Sequence, residues 1–227
     1  MALLGAGILA IWNDIAAGGD AEFNHWHTRE HFPERLGVAG FLRGRRYLAV
    51  NGSPTYFTLY ETETVETLAG PAYLERLNHP TPWTRRVLPL FQNTNRTACR
   101  VTLSLGLGVG AAVATLRMGP VPGREDEVRA WLTATALPEL VERPGLVGAH
   151  LGEADLSATR VPTEERTLRS QEDEIARWVI LVEGIEAGGV EAACRDLLNP
   201  GALARRGASL DSALSVYRLL YCLARSS

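Results

Sequence analysis

The strongest constraint on the fold is an internal repeat. Shifting the sequence by 105 residues places residues 5–40 over residues 110–145 without a gap, with nine identities in 36 positions. Ordinary residue usage gives roughly two identities by chance. The identical pairs are Gly5/Gly110, Ala6/Ala111, Gly18/Gly123, Glu22/Glu127, Trp26/Trp131, Thr28/Thr133, Pro33/Pro138, Glu34/Glu139 and Gly40/Gly145. A repeat of this length predicts two units with the same order of elements.

Hydrophobic periodicity and turn residues predict the elements of each unit. In the first unit they are a strand over 4–12, a helix over 20–36, strands over 41–50 and 55–61, a helix over 64–78 and a strand over 96–105. In the second unit the same order falls at 109–118, 123–141, 145–153, 175–184, 187–198 and 212–223. Pro33 is expected to limit the first helix, because a proline disfavours the helical region for the residue before it.

The order β-α-β-β-α-β is that of a ferredoxin-like unit. We predict one unit over residues 1–106 and a second over 107–227, with an inserted polar surface loop near 154–173. One such unit leaves a bare apolar sheet face, and two units can cover each other sheet to sheet. The predicted fold class is therefore α+β: two tandem ferredoxin-like repeats packed as a pseudo-dimeric α/β barrel. This arrangement resembles the dimeric α/β-barrel superfamily with its two protomers fused.

A polar cluster marks one of the two copies. His27, Glu30 and His31 share one face of the first predicted helix, because residues three and four apart are neighbours on a helix. The matching positions of the second copy are Leu132, Thr135 and Ala136. Buried ionisable groups are costly unless they are paired, so polar residues in one copy alone predict one site per chain. The alternative is that the histidines are partly exposed and hydrogen-bond the backbone.

The cluster is suited to acid–base chemistry. Neutral imidazole is a common general base near pH 7, and a neighbouring group can fix its tautomer. We assign His31 as the candidate base, with Glu30 or His27 as its orienting partner; Glu34 could also serve. His31-Phe32-Pro33 resembles the H-x-P element of EthD-like members of the superfamily. That resemblance implies cofactor-independent cyclase-, isomerase- or lyase-type chemistry on aromatic or lactone substrates.

Two cofactor hypotheses concern the same histidines and His150. The segment 27–31 fits H-x-x-E-H, which could clamp zinc if a third ligand were present, and no spacing identifies one. Tandem barrels of the chlorite-dismutase family bind haem through a histidine in the second half, where this chain has only His150. The main prediction is a site with no metal and no cofactor, and a metal- or haem-dependent enzyme that uses His27 and His31 is the further alternative.

The neighbouring strands and one loop supply candidate substrate-binding residues. Alternation along 41–47 puts Phe41, Arg43, Arg45 and Tyr47 on one face and Leu42, Gly44 and Arg46 on the other. An arginine inside the barrel could bind a carboxylate or an enolate. The full set of predicted substrate-binding residues is Trp26, Arg43, Arg45, Tyr56, Tyr60 and Trp83.

Composition and charge limit the kinds of molecule that this protein is expected to bind. A net charge of −3 argues against nucleic acid. The longest uncharged run, residues 101–116, is shorter than a membrane helix requires. Cys99, Cys194 and Cys222 are scattered, which is typical of reduced thiols in a cytoplasmic protein. We expect a cytoplasmic protein that handles a small hydrophobic molecule, with homo-oligomers left open. It is either an enzyme or a non-catalytic ligand-binding or regulatory barrel.

Overall fold

The computed structural model describes residues 3–225, and its main feature is a closed antiparallel barrel. The strands are β1 Gly7–Ile15, β2 Phe41–Asn51, β3 Tyr56–Thr62, β4 Phe91–Gly106, β5 Ala112–Pro120, β6 Leu146–Ala154, β7 Trp178–Gly184, β8 Ala208–Leu210 and β9 Ser215–Ala224. Eight of them follow the order β7-β6-β4-β1-β3-β2-β9-β5, and β5 pairs with β7 to close the ring. The short β8 pairs with the end of β5. The predicted α+β barrel is confirmed.

Helices cover the outside of the barrel. They are α1 Asp20–Trp26, α2 Phe32–Leu36, α3 Pro71–Asn78, α4 Pro82–Val87, α5 Glu125–Trp131, α6 Leu137–Val141, α7 Leu156–Thr159, α8 Glu164–Thr167, α9 Ala187–Leu197 and α10 Pro200–Arg205. Short 3₁₀ segments add Val65–Ala69 and Leu88–Leu90. Within residues 3–225, no helix is long and apolar enough to cross a membrane.

Alternation along the strands separates two kinds of core. Side chains that point inward form an aromatic-rich barrel core that includes Trp12, Tyr47, Phe57 and Tyr217. Side chains that point outward pack beneath the helices, in one cluster for the second half and two clusters for the first. Strands β1, β3, β5 and β7 are therefore buried on both faces over most of their length, as expected for a barrel wrapped in helices, whereas β9 is partly exposed after Tyr217.

The first helix does not end at Pro33. A π-helical turn, His27–His31, follows α1, and the chain continues directly into α2, in which Pro33 occupies the first turn. The Phe32 amide donates to the His27 carbonyl, five residues back. Leu132–Ala136 forms the same turn before Pro138. A proline inside an α-helix normally clashes with the preceding turn, and the wider π turn accommodates it in both halves.

The inserted segment between β6 and β7 is more than a surface loop. It contains α7 and α8, and Ala158, Thr159 and Glu165 are buried. The Glu164 amide donates to the Asn78 side chain at 3.1 Å, which ties the insertion to the end of α3. The insertion belongs to the second half of the sequence and packs on the first half of the structure.

Candidate functional site

A cavity lies between the outer sheet face of the first half and the helices that cover it. The space inside it that the centre of a water-sized sphere can reach is about 50 Å³, and the cavity opens to solvent at one side. Strands β1, β3 and β4 form its floor, α1 to α3 form one side, and the inserted segment forms another. The aromatic members of its wall are Phe23, Trp26, Tyr60, Tyr73 and Phe91. Its polar lining includes two histidines, four arginines and one carboxylate, Glu165.

His27 is buried in this wall and is 4% exposed. Its Nε2 atom lies 3.4 Å from the Tyr60 hydroxyl, and its Nδ1 atom has no hydrogen-bond partner among the described residues. Burial, together with the charges of Arg46 and Arg35, holds the pKa of His27 well below its usual value. The ring is therefore neutral at pH 7.

His31 lies beside it, one π-helical turn further along the chain. The two imidazole centroids are 5.2 Å apart, and the Trp26 ring lies 4.3 Å from that of His31. His31 is 9% exposed, and its Nδ1 atom has no hydrogen-bond partner within residues 3–225. Burial and the charge of Arg35 lower its pKa well below the usual value. The structure thus brings together His27, His31 and Trp26, all three predicted site residues.

Glu30 does not reach the histidines. Its Oε1 atom accepts hydrogen bonds from Trp26 Nε1 at 3.2 Å and from the Thr81 hydroxyl at 2.6 Å. The Glu34 carboxylate lies 3.8 Å from Arg35 instead. Sequence spacing suggested a carboxylate beside His31, and the π turn changes which side chains share a face. Of the predicted orienting partners of His31, His27 is the one that lies beside it.

The arginines proposed from the sequence lie elsewhere. Arg45 points into the barrel, where it is 2.7 Å from Glu183 and 3.0 Å from Glu61. Arg43 binds Glu61 at 2.8 Å on the same face. The predicted alternation holds for Arg43, Arg45 and Tyr47, while a β-bulge between Phe41 and Arg43 turns Phe41 to the helix side. Neither arginine lines the cavity.

Two of the predicted aromatic residues also lie outside the cavity lining. Tyr56 donates to Asp20 at 2.8 Å, which ties β3 to the start of α1. Trp83 donates to Glu22 at 2.7 Å, which ties α4 to α1. Both support the helix that carries the histidines. Tyr60 is the predicted tyrosine that lines the cavity.

Sequence reasoning missed the arginines that do line the cavity, which are Arg35, Arg96, Arg166 and Arg169. Arg35 is fully buried and binds Glu165 of the inserted segment. Arg169 binds Asp173 through two bonds of 2.7 and 2.6 Å. Arg35 lies in the helix that the repeat aligns, so the sequence could have identified it. Nothing in the sequence of the insertion predicts that it packs against the first half.

The corresponding space in the second half is filled. Val128, Leu132 and Ala136 are at most 1% exposed and pack with the outward residues of β5 and β7. The second half therefore uses this region as core, whereas the first half uses it for a polar cavity.

The residues do not form the metal or haem sites considered from the sequence. No group of three or more histidine, cysteine, aspartate or glutamate side chains within residues 3–225 is placed to hold a metal ion. His150 is 1% exposed inside the barrel, where its Nδ1 atom lies 3.0 Å from Ser104 and its Nε2 atom 3.3 Å from Glu183. A histidine so enclosed does not fit the axial position of a haem.

Comparisons with proteins of known structure identify the fold. No family model matches the sequence, and no curated protein matches it. An anthrone oxidase-like protein of known structure superimposes with a TM-score of 0.64 at 12% identity, covering 97% of this chain and 93% of that one. A proposed monooxygenase of Fusobacterium nucleatum gives 0.61 at 10% identity, covering 99% and 97%. A proposed chlorite dismutase gives 0.59 at 10% identity, covering 96% of each chain. The chain therefore has the dimeric α/β-barrel fold.

Proposed function

We propose that the protein is a cofactor-independent enzyme that removes a proton from a small aromatic molecule in the cavity, with His31 as the base. The observation that supports this most is the pair of buried, neutral histidines with unpartnered Nδ1 atoms in an aromatic-walled cavity. Buried polar atoms are seldom left without partners in native proteins, and exceptions are concentrated at functional sites. A bound molecule would supply the missing partner.

The surroundings suit the step chemically. Burial and the charge of Arg35 keep His31 neutral and able to accept a proton at pH 7, and they also make it a weaker base than a free imidazole. The proton leaves a C–H or O–H bond of the substrate, and the electron pair remains on the substrate as an enolate or phenolate. Arg35 and the Tyr60 hydroxyl face the same cavity and would stabilise that charge. His27, in contact with both Tyr60 and His31, would position them.

Anthrone is a suitable first test molecule, because its methylene protons are acidic and one structural neighbour is named anthrone oxidase-like. The assay follows exchange of those protons for deuterium by NMR, without oxygen. We expect His31→Ala to slow exchange by about 100-fold or more, the usual range for a positioned base. His79→Ala is the matched control, because the side chain of His79 is 70% exposed.

The pH profile gives a second readout. Because the neutral form of His31 is active and its pKa lies well below 6.5, the rate should be level from pH 6.5 to 8 and fall at lower pH. A wild-type rate in His31→Ala would contradict the proposal. The H-x-P resemblance to EthD-like proteins agrees with this chemistry and stays a prediction.

A non-catalytic binding barrel is the second candidate. It is favoured by one observation: neither Glu30 nor Glu34 contacts His31, so no carboxylate raises its basicity. Tight binding of an aromatic ligand by a protein that does not accelerate exchange would support this alternative.

A further inference from the structure

The cavity carries more positive charge than its own side chains neutralise. Its lining contains four arginines and one carboxylate, Glu165, although the whole chain has a net charge of −3. Glu165 neutralises Arg35, and Asp173 neutralises Arg169. Arg96 and Arg166 have no carboxylate partner within residues 3–225. Two positive charges therefore face the cavity without a counter-charge.

Arg96 is half-buried on β4 and donates to the Tyr73 hydroxyl at 3.2 Å. One neutral acceptor leaves most of its five donors free. Arg166 lies on α8 and forms neither a hydrogen bond nor an ion pair with the described part of the chain. The two guanidinium groups come from opposite walls, since β4 is part of the floor and α8 part of the cover.

Arg46, which lies behind the cavity wall, adds a third positive charge to the electrostatic potential in the cavity. Arg46 is 5% exposed and donates to the Thr28 hydroxyl at 3.0 Å and to the Asn24 carbonyl at 3.5 Å. Both acceptors are neutral, and the Arg46 Nε atom has no partner among residues 3–225. Charges in a partly desolvated site act more strongly than in water, so an anion entering the cavity is favoured.

We propose that the ligand of the cavity is an aromatic acid, whose ring packs on Trp26 and Tyr60 and whose carboxylate is bound by Arg96 and Arg166. The planar guanidinium group matches a carboxylate in geometry as well as charge. A free inorganic anion would make no use of the aromatic side chains in the lining, and a neutral aromatic molecule would leave the arginines unmatched. This inference rests on the proposed function in one respect: both place the ligand in the same cavity.

The test compares 2-naphthoate with the neutral 2-naphthamide by isothermal titration calorimetry at low and high salt. We expect naphthoate to bind at least tenfold more tightly, and added salt to reduce that difference. Arg96→Gln and Arg166→Gln should each weaken naphthoate by about tenfold or more, as expected for a lost charged hydrogen bond, and leave naphthamide nearly unchanged. Naphthalene-2-sulfonate distinguishes a carboxylate site from a general oxyanion site: equal binding would overturn the choice of a carboxylate.

Arg86→Gln is the matched control, because Arg86 is an exposed arginine of the same half whose side chain donates to the Pro82 carbonyl of its own helix. Arg166→Lys, which keeps the charge, should retain part of the affinity, and thermal melts confirm that each variant is folded. Equal affinity for acid and amide, equal loss of both in the variants, or no naphthoate binding at millimolar concentration would overturn the proposal. Selective acid binding with an unaffected His31→Ala exchange rate would instead overturn only the proposed function.

Discussion

The residues that carry charge fall into two separate buried systems. His27 and His31 lie outside the barrel and are kept neutral by burial and nearby arginines. Arg45, Glu61 and Glu183 lie inside it and form a closed ion-pair network. The charges of the network are paired, although Arg45 Nη2 and Glu183 Oε1 have no hydrogen-bond partner among residues 3–225. In the cavity, by contrast, two guanidinium groups have no paired charge in the described part of the chain. Unmatched groups are the ones that a ligand can use.

The internal network predicts a pH dependence of stability. Although burial alone would raise it, contact with His150 and the charge of Arg45 hold the pKa of Glu183 at about 2. The folded pKa is below the usual glutamate value of 4.5, so this contribution is complete above pH 4.5 and lost as the pH falls from 4.5 toward 2. Urea unfolding at a series of pH values should show that decline.

Glu183→Gln should remove part of the decline and lower stability at pH 7 by about 3 kcal/mol, because Arg45 loses one of its two buried partners. Glu172→Gln serves as the control, since Glu172 is exposed. An unchanged pH profile in Glu183→Gln would show that Glu183 does not carry the dependence.

At the scale of elements, the π-helical turn matters most to the site. It places both imidazoles on the cavity side and accommodates Pro33, and it turns Glu30 toward Trp26 and Thr81. Ordinary α-helical spacing correctly predicted that His27 and His31 lie together. It wrongly placed the Glu30 carboxylate on the same face. The turn recurs before Pro138, so the proline and its spacing are the signal in the sequence.

The close contact between β2 and α2 gives a second prediction. A Cβ atom at Gly44 would lie 2.3 Å from the Phe32 ring and 3.0 Å from Tyr60. Gly44→Ala should therefore lower stability by about 1–3 kcal/mol through overpacking and displace α2 beside the cavity. Thermal unfolding measures the change. In Gly188→Ala, the control, the nearest atom is 3.9 Å away, and a small gain in stability is expected.

At the scale of the whole molecule, the two halves depend on each other. Strand pairs β4–β6 and β2–β9 join them into one ring. The insertion of the second half supplies Glu165 and Arg166 to the cavity of the first. The division at residues 106 and 107 stays a proposal, and it implies that each half alone exposes the apolar inner face of its sheet.

Expression of residues 1–106 alone tests that division. Trp12, Tyr47 and Phe57 would then lie on an uncovered face, so we expect dimers or aggregates rather than a stable monomer, measured by size-exclusion chromatography with light scattering. Adding residues 107–227 should restore a compact 1:1 complex. A folded, monomeric first half would contradict this account.

The sequence by itself determined the order of the eight barrel strands, the barrel and the asymmetry of the histidine cluster, because periodicity is a local pattern and the repeat aligns the two halves. It did not predict α4, α10, the short β8 or the helices of the insertion. Tertiary structure alone decided which arginines face the cavity. Arg43 and Arg45 looked suitable from their strand, and they are neutralised inside the barrel by Glu61 and by Glu183 from the other half. Arg166 comes from the inserted segment, whose sequence carries no periodicity. Charge pairing over such sequence distances depends on how the halves pack, and no local pattern contains that information.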